Sequence, residues 1–405
     1  MRELIIVGGG AGGLVCAVRA AELGLRPLVL ERMDRVGKKL LATGNGRCNL
    51  MNETPVPWPR GGAFAGAVLG RWPAERQKAF WEGLGLRLRT EAEGRVYPAS
   101  GQASTVLDVL RLALARLDVE ILTGTEVRAI RRIPGGFRAE AGPEALDCRR
   151  IAVFGGGRAQ PKLGSNGSGA RLLAALGHTA VPERPSLAAI RTDPEPIRGL
   201  AGIRLRGEIT VLDGDACLHR EAGELLFAED GISGVCAMNC SARLPERGGT
   251  LLLNLLPGMG FPDAGTLAGA LLRRREKWPG TDAEQLFAGI CVPRLAGVLC
   301  RQAGIRLKER RLGDLSPDAL RQAADLAAAF PLAVRGTRDF EQAQVTRGGI
   351  DPAGFRPETM ESRLVPGLYA GGEVLDADGP CGGYNLMFAF ACGLTAAEAM
   401  GGKNA

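Results

Sequence analysis

Aromatic residues are scarce in this sequence: 3 Tyr, 4 Trp and 12 Phe make up 5% of 405 residues. Histidine is scarcer, with only His178 and His219. With two histidines and no Cys-x-x-Cys spacing, the sequence shows no zinc-ligand pattern, and no metal is expected. The ten cysteines are scattered, Cys236 and Cys240 being the closest pair. They read as reduced thiols rather than a disulfide framework. No apolar run reaches the ~18 residues that a membrane span needs. The longest, Leu386 to Met400, is interrupted by glycine. A strand-like run, Leu4 to Val7, begins too close to Met1 for a basic region and cleavage site to precede it. A cytoplasmic protein without membrane contact is therefore expected. Neither charge sign dominates: 51 Lys and Arg against 44 Asp and Glu give +7. The basic runs at Arg273, Arg274, Arg275 and Lys277, and at Arg306, Lys308, Arg310 and Arg311, read as solvated helix faces rather than a nucleic-acid surface.

Glycine is abundant. The 59 glycines are about twice the usual share and show no collagen-like period. Such an excess indicates tight turns and close backbone approaches to a ligand. The length calls for two or three domains.

The stretch "LIIVGGGAGG" reads as a buried strand followed by Gly8-x-Gly10-x-x-Gly13. Leu14 to Leu23 is apolar at helical spacing, Gly24 closes the helix, and "RPLVLE" is a second strand ending at Glu31. Together these form the βαβ dinucleotide fingerprint. Gly8 permits the turn, Gly10 lets the backbone approach a pyrophosphate, and Gly13 lets helix and strand pack closely. The helix N-terminus favours the phosphate charge. Glu31 is placed to accept hydrogen bonds from ribose hydroxyls. Its carboxylate would repel a 2′-phosphate, so the site suits NAD or FAD rather than NADP.

A basic, glycine-rich loop follows: Gly37, Lys38, Lys39, then Thr43, Gly44, Asn45, Gly46, Arg47, Cys48 and Asn49. Near the other end stand "GLYAGGEVLDADG" and "GPCGGYNL". In these three segments, and in "GRVYPASGQASTVLDVL", "QPKLGSNGSG", "LGHT", "GELLFAEDGISG" and "VTRGGI", the chain resembles the HI0933-like, BaiN-type flavoproteins, a family that also includes aminoacetone oxidase. The resemblance covers nearly the whole chain. It implies an α/β fold: a Rossmann-like, two-dinucleotide-binding FAD domain, discontinuous over residues 1–185 and 342–405. Residues 186–341 would form an inserted β-barrel domain with a helical subdomain at about 262–310, and substrate would bind between the insert and the flavin face.

FAD contacts are implied at Gly8, Gly10, Ala11, Gly12 and Gly13, at Glu31 and Arg32, and along Lys38, Lys39 and Thr43 to Asn49. Others are implied at Val127, at Gly155 and Gly156, and at Gly372 and Glu373, the last near the ribityl and pyrophosphate portion. Gly382, Gly383, Tyr384, Asn385 and Leu386 would pass along the isoalloxazine ring, with the helix that follows aimed at its N1–C2=O edge. The chain departs from the family's pattern at Gly155, where threonine is usual, and at Ser168, where aspartate is usual. "RRIAVFGGG" resembles a second fingerprint, but no acid-ended strand follows it. It reads as the strand returning the chain to the first sheet. NADH or NADPH is therefore expected as a transient electron donor without a domain of its own.

Within the insert, "LAAIRTD", "RLRGEITVLD", "ACLHREAGELLFA" and "TLLLNLLP" read as strands. Helices are predicted near Ala264–Arg275, Ala283–Ala288 and Arg294–Gln302. Another follows in "SPDALRQAADLAAAF", with Ser316 as N-cap and Pro317 at its first position.

Flavin supplies hydride transfer itself, so the residues sought are proton donors. Tyr384 is the first candidate, since it neighbours the ring in this reading. Tyr97 is the second. Glu229 is the third, standing where many family members carry histidine. Cys48 has no partner cysteine for dithiol chemistry. His178 reads as a helix-end structural residue. The expected activity is FAD-dependent hydride transfer from NAD(P)H to a conjugated ketone or similar small apolar substrate. Oxidation of an amine is the alternative, though so few aromatic residues make a cage around its substrate hard to build. An RNA-associated flavoprotein or an electron carrier is the alternative of another class. The sequence leaves the oligomeric state undetermined.

Overall fold

The computed structural model describes residues 1–142 and 144–402. Residues 403–405, at the end of the segment expected to close the FAD domain, lie outside the described residues. The chain divides into two compact units, Met1–Ser186 with Phe340–Ala405, and Leu187–Asp339.

The first unit is built on a seven-stranded sheet. Its order is Glu120–Leu122, Pro27–Leu30, Arg2–Val7, Glu144–Val153, Gly136–Ala141 and Val127–Ile133. The first four strands run parallel. Leu4, Ile5 and Ile6 are fully buried, as expected for a central parallel strand covered on both faces. The strand Glu144–Val153 serves two partners on one side. Its Cys148 end pairs antiparallel with Phe137, and its Ile151–Val153 end pairs parallel with Leu368–Ala370. "RRIAVFGGG" thus does return the chain to the first sheet.

The first helix, Ala11–Glu22, and the last, Tyr384–Met400, lie against each other. Their contact is a backbone one: a Cβ on Gly393 would lie 2.4 Å from the Gly12 carbonyl oxygen. Leu14, Val15, Val18, Phe390 and Leu394 are buried with them. Burying each such large apolar side chain contributes about 1.5–3 kcal/mol. The two ends of the sequence therefore share one core.

Two smaller sheets complete this unit. Met51–Asn52 and Leu88–Thr90 both pair with Arg95–Pro98. Ala180–Ser186 pairs antiparallel with Val345–Ile350.

The second unit is a closed six-stranded barrel with helices. Its strands Arg204–Asp213, Ala216–Ala228 and Thr250–Asn254 fall on the runs read from the sequence. Helices span Ala264–Lys277, Pro293–Gln302 and Pro317–Ala328. One expectation is corrected: the segment near Ala283–Ala288 forms only a 3-10 turn, Ala283–Gln285, too short to be an amphipathic helix. Ser316 is the N-cap and Pro317 the first residue of the helix Pro317–Ala328, as read from the sequence, though the Ser316 side chain makes no capping hydrogen bond.

The basic runs are partly consumed inside this unit. Arg274 donates to the carbonyls of Gln285, Leu286 and Ala288, and Arg275 to those of Gly313 and Leu315. Arg273, Lys277, Arg306, Lys308 and Arg310 are exposed. Among the described residues no helix is long and apolar enough to cross a membrane, and no cluster could hold a metal ion.

Candidate functional site

Gly8 has φ +108°, and a Cβ on it would strike the Phe154 carbonyl oxygen at 2.4 Å. A Cβ on Gly13 would lie 1.9 Å from the Gly8 oxygen. Both positions require glycine to let the strand turn into the helix. Gly10 differs, since a Cβ there meets no atom within 4 Å. It is the N-cap of the first helix and no side chain caps that end. The helix therefore presents uncapped backbone N–H groups and its positive pole to open space, an arrangement that takes an anion such as a dinucleotide pyrophosphate. Ala11 and Gly12 form the first helical turn.

Glu31 follows the second strand. Its Oε2 accepts the Gly9 N–H at 2.8 Å and its Oε1 the Met33 N–H at 2.8 Å. These bonds orient the carboxylate and leave further lone pairs on both oxygens for ligand hydroxyls. Arg32 donates to the Gly164 carbonyl at 3.1 Å, and Lys38 pairs with Asp34. Lys39 Nζ contacts Glu373 Oε2 at 2.7 Å, while Glu373 Oε1 accepts the Thr346 N–H at 2.9 Å. Gly372 and Glu373 open the 3-10 turn that follows Leu368–Ala370. Thr346 was not singled out in the sequence. Its hydroxyl accepts the N–H groups of Arg158 and Ala159, fixing the turn after Gly157. Gly155 packs against Gly169, whose Cα would lie 2.9 Å from an added Cβ, and Gly156 has φ +67°. Val127 is buried at the start of its strand.

The loop Thr43–Asn49 winds tightly, with φ near +55° at Asn45 and Cys48 and positive φ at Gly44 and Gly46. Cys48 is fully buried, and burial pushes its thiol up to about 12. Arg47 lies 4.1 Å over the Tyr97 ring and pairs with Glu91 at 2.5 Å. The loop's end meets the start of the last helix. A Cβ on Gly383 would lie 2.8 Å from Asn49 Oδ1 and 2.8 Å from the Met51 oxygen. Here the glycine requirement is set by Asn49 and Met51. The Asn49 Oδ1 has no hydrogen-bond partner among the described residues although Asn49 is only 9% exposed. Asn52, also unforeseen, donates to the Gly382 carbonyl at 3.0 Å.

Tyr384 is buried and its hydroxyl donates to the Thr54 carbonyl at 2.8 Å; desolvation raises its pKa. Asn385 clamps the preceding loop, accepting the Gly379 N–H and donating to the Gly379 carbonyl, both at 2.8 Å. Leu386 is half-buried in the first turn of that helix. The structure thus brings the 8–13 turn, Glu31, Lys39, the 43–49 loop, Glu373 and the 382–386 segment into one unit. Glu229 lies apart from them in sequence and unit, exposed in the turn between the strands Ala216–Ala228 and Gly231–Ser233. His178 is buried, stacked on Phe355 and bonded to Ser362.

Comparison with known proteins bears on these features. The 3-dehydro-bile acid delta(4,6)-reductase of Clostridium scindens is 33% identical over 98% of this chain and 99% of the relative. A ribosomal RNA dihydrouridine synthase of Haemophilus influenzae is 27% identical over 97% of this chain and 98% of its own. The solved 3-ketosteroid delta1-dehydrogenase of Sterolibacterium denitrificans shares the fold with a TM-score of 0.51, at 15% identity over 99% of both chains. The model of the HI0933-like protein Rossmann domain matches residues 2–399, and the chain belongs to that family.

Proposed function

We propose that this FAD-dependent oxidoreductase saturates a carbon–carbon double bond conjugated to a carbonyl in a small, largely apolar ketone, with NADH or NADPH as transient hydride donor. The observation that carries the reading is the likeness, over 98% of the chain, to a relative named as a bile acid delta(4,6)-reductase. The open, uncapped turn at Gly10 fits the pyrophosphate, and Glu31, oriented by Gly9 and Met33, would hold the ribose. Residues Thr43–Asn49 and Gly382–Leu386 would flank the ring. Bound FAD supplies hydride transfer at N5. Tyr384 would hold the proton that completes the reduction. Burial keeps its phenol protonated, and its hydroxyl, which donates to the Thr54 carbonyl, would have to turn from it to serve the substrate. Tyr97, beneath Arg47, and the exposed Glu229 are the other candidate donors.

A second reading takes RNA as substrate. It is favoured by whole-length likeness to two ribosomal RNA dihydrouridine synthases, 27% and 26% identical. Dihydrouridine is uridine whose ring double bond is saturated, and that bond is also conjugated to a carbonyl. The two readings therefore share one chemistry and differ in the carrier of the double bond.

One experiment separates them. The yellow protein is reduced anaerobically with NADH or NADPH, then mixed with a steroid-type enone, with unmodified ribosomal RNA, or with oxygen. Reoxidation by the enone and not by RNA supports the first reading, and the reverse supports the second. Bleaching by an amine but by neither nicotinamide replaces both with an amine oxidase. Tyr384→Phe should still be bleached by the nicotinamide while its reoxidation by enone slows about 100-fold or more.

A further inference from the structure

We propose that in mildly acid solution Asp378 is held in the folded protein as a neutral carboxylic acid, and that in this form it positions the loop from Asp376 to Gly383 that leads into the last helix. Asp376 and Asp378 stand two residues apart on that loop, in contrasting surroundings. Asp376 Oδ1 accepts the Gly348 N–H at 2.8 Å, and its Oδ2 faces the Arg60 guanidinium at 3.3 Å. Those donors suit an anion. Asp378 is 2% exposed. Its Oδ2 accepts the Ser186 hydroxyl at 2.8 Å, and its Oδ1 is buried with no partner among the described residues. A buried anionic oxygen without a donor is far costlier than a neutral one.

The charged groups facing Asp378 do not reverse this. Asp376 repels a second negative charge, while Arg347 and Arg60 attract one. Burial outweighs both and pushes the Asp378 carboxyl up to about 6.

The loop is held at other points as well: Asn52 donates to the Gly382 carbonyl at 3.0 Å, the Asp376 N–H bonds the Ile350 carbonyl at 2.8 Å, and Asn385 holds Gly379. Asp378 lies between the Asp376 and Gly379 anchors in the chain. Its ionisation would place a buried charge, with Ser186 as its hydrogen-bond donor, on the loop that leads to Gly382 and Gly383. Asp378 is therefore a positioning residue, and this role requires no particular substrate.

Asp378→Asn keeps the shape of the neutral acid and removes the titration. Infrared spectra of the wild-type holoprotein below pH 6 should show the carbonyl stretch of a protonated carboxyl that is missing from D378N. The folded-state value lies above the ordinary value of 3.8. The stability from Asp378 is thus full below the unfolded value and is lost as pH rises through about 6. The ratio of unfolding constants, wild type over D378N, should rise about tenfold per pH unit between pH 4 and 6, about 100-fold in all, and level off above. Ser186→Ala removes the one donor to the carboxylate, so the infrared band should persist to higher pH in S186A. That shift tests the proposal even where D378N does not fold. A flat ratio, absence of the band, or an S186A band that disappears at the wild-type pH would overturn it.

Discussion

Lys39 Nζ lies 2.7 Å from Glu373 Oε2, joining residues 334 apart in the chain. Both side chains are less than a quarter exposed, and Glu373 also accepts the Thr346 N–H. The pair thus ties three segments together: the loop after the first βαβ unit, the strand Val345–Ile350 and the turn after Leu368–Ala370. Removing the acid strands an ammonium and an amide together. Glu373→Ala should lower stability by roughly 1–3 kcal/mol, the usual cost of leaving buried donors unpaired. Glu373→Gln, which keeps an acceptor for Thr346, should lose less. Urea unfolding of both variants checks the order, and equal stability of E373A and wild type would refute the tie.

The glycines of the first turn separate folding from cofactor binding. A Cβ at Gly13 collides with the Gly8 oxygen at 1.9 Å, whereas one at Gly10 touches nothing within 4 Å. Gly10 also has φ −88°, which alanine adopts readily. Gly13→Ala should therefore fail to fold normally. Gly10→Ala should fold with the thermal midpoint of the wild-type apoprotein yet retain less than a tenth of the wild-type flavin. The measurement is flavin absorbance per protein alongside the melting curve of each apoprotein. A fully yellow G10A would show that the open space is not where the pyrophosphate sits.

These two glycines also show what a sequence discloses. The turn at Gly8–Gly13 is local: strand, turn and helix follow one another within twenty-odd residues, so spacing alone specifies it. The barrel strands Arg204–Asp213 and Ala216–Ala228 are legible for the same reason, since period-two alternation ending at glycine and aspartate turns is written along the chain. Partner choice over long separations is not. Nothing near Arg47 announces Glu91, nothing near Lys39 announces Glu373, and the Tyr384 hydroxyl reaches Thr54, 330 residues away. Likewise the reason for Gly383 is contact with Asn49 and Met51, a pairing the tertiary fold alone creates. Family resemblance reached the motif containing Asp376 and Asp378, both buried, but the donors that the fold brings to each are what distinguish the two carboxyls.

Thiol chemistry offers a third test. Cys217 alone is exposed among the ten free cysteines, and Cys48 is fully buried with its thiol pushed up to about 12. A neutral, enclosed thiol is a poor nucleophile. A thiol reagent at pH 8 should modify Cys217 first and leave Cys48 unreacted in the native protein, as peptide mapping would show. Cys48→Ala should leave the rate of flavin reduction by nicotinamide within about threefold, its cost appearing as lost packing. A loss of reduction that tracked modification of Cys48 would restore a redox role to that thiol.

The buried histidine titrates in the opposite sense to Asp378. Ser362 Oγ accepts the N–H groups of Leu364 and Val365 at 3.1 and 2.9 Å and lies 3.0 Å from His178 Nε2. With its lone pairs taken by two amides, the Ser362 hydroxyl gives its own proton to Nε2. That assigns the neutral ring with its hydrogen on Nδ1, which is buried without a partner and faces Gly354, where an added Cβ would stand 2.7 Å away. A second proton on the ring would set two donors face to face at Nε2 and place a cation in a desolvated pocket. Burial accordingly lowers the His178 pKa below its ordinary 6.5. The unfolded chain then binds the proton first as pH falls. The stability from neutral His178 is present above pH 6.5 and is lost as pH drops toward the folded value. His178→Gln cannot titrate there. Its unfolding constant should exceed that of wild type at pH 7.5, because the stack on Phe355 is gone. The gap should narrow by up to about tenfold per pH unit below 6.5. Urea midpoints between pH 7.5 and 5 measure this, and a gap independent of pH would mean that folding leaves the ring's affinity for the proton unchanged.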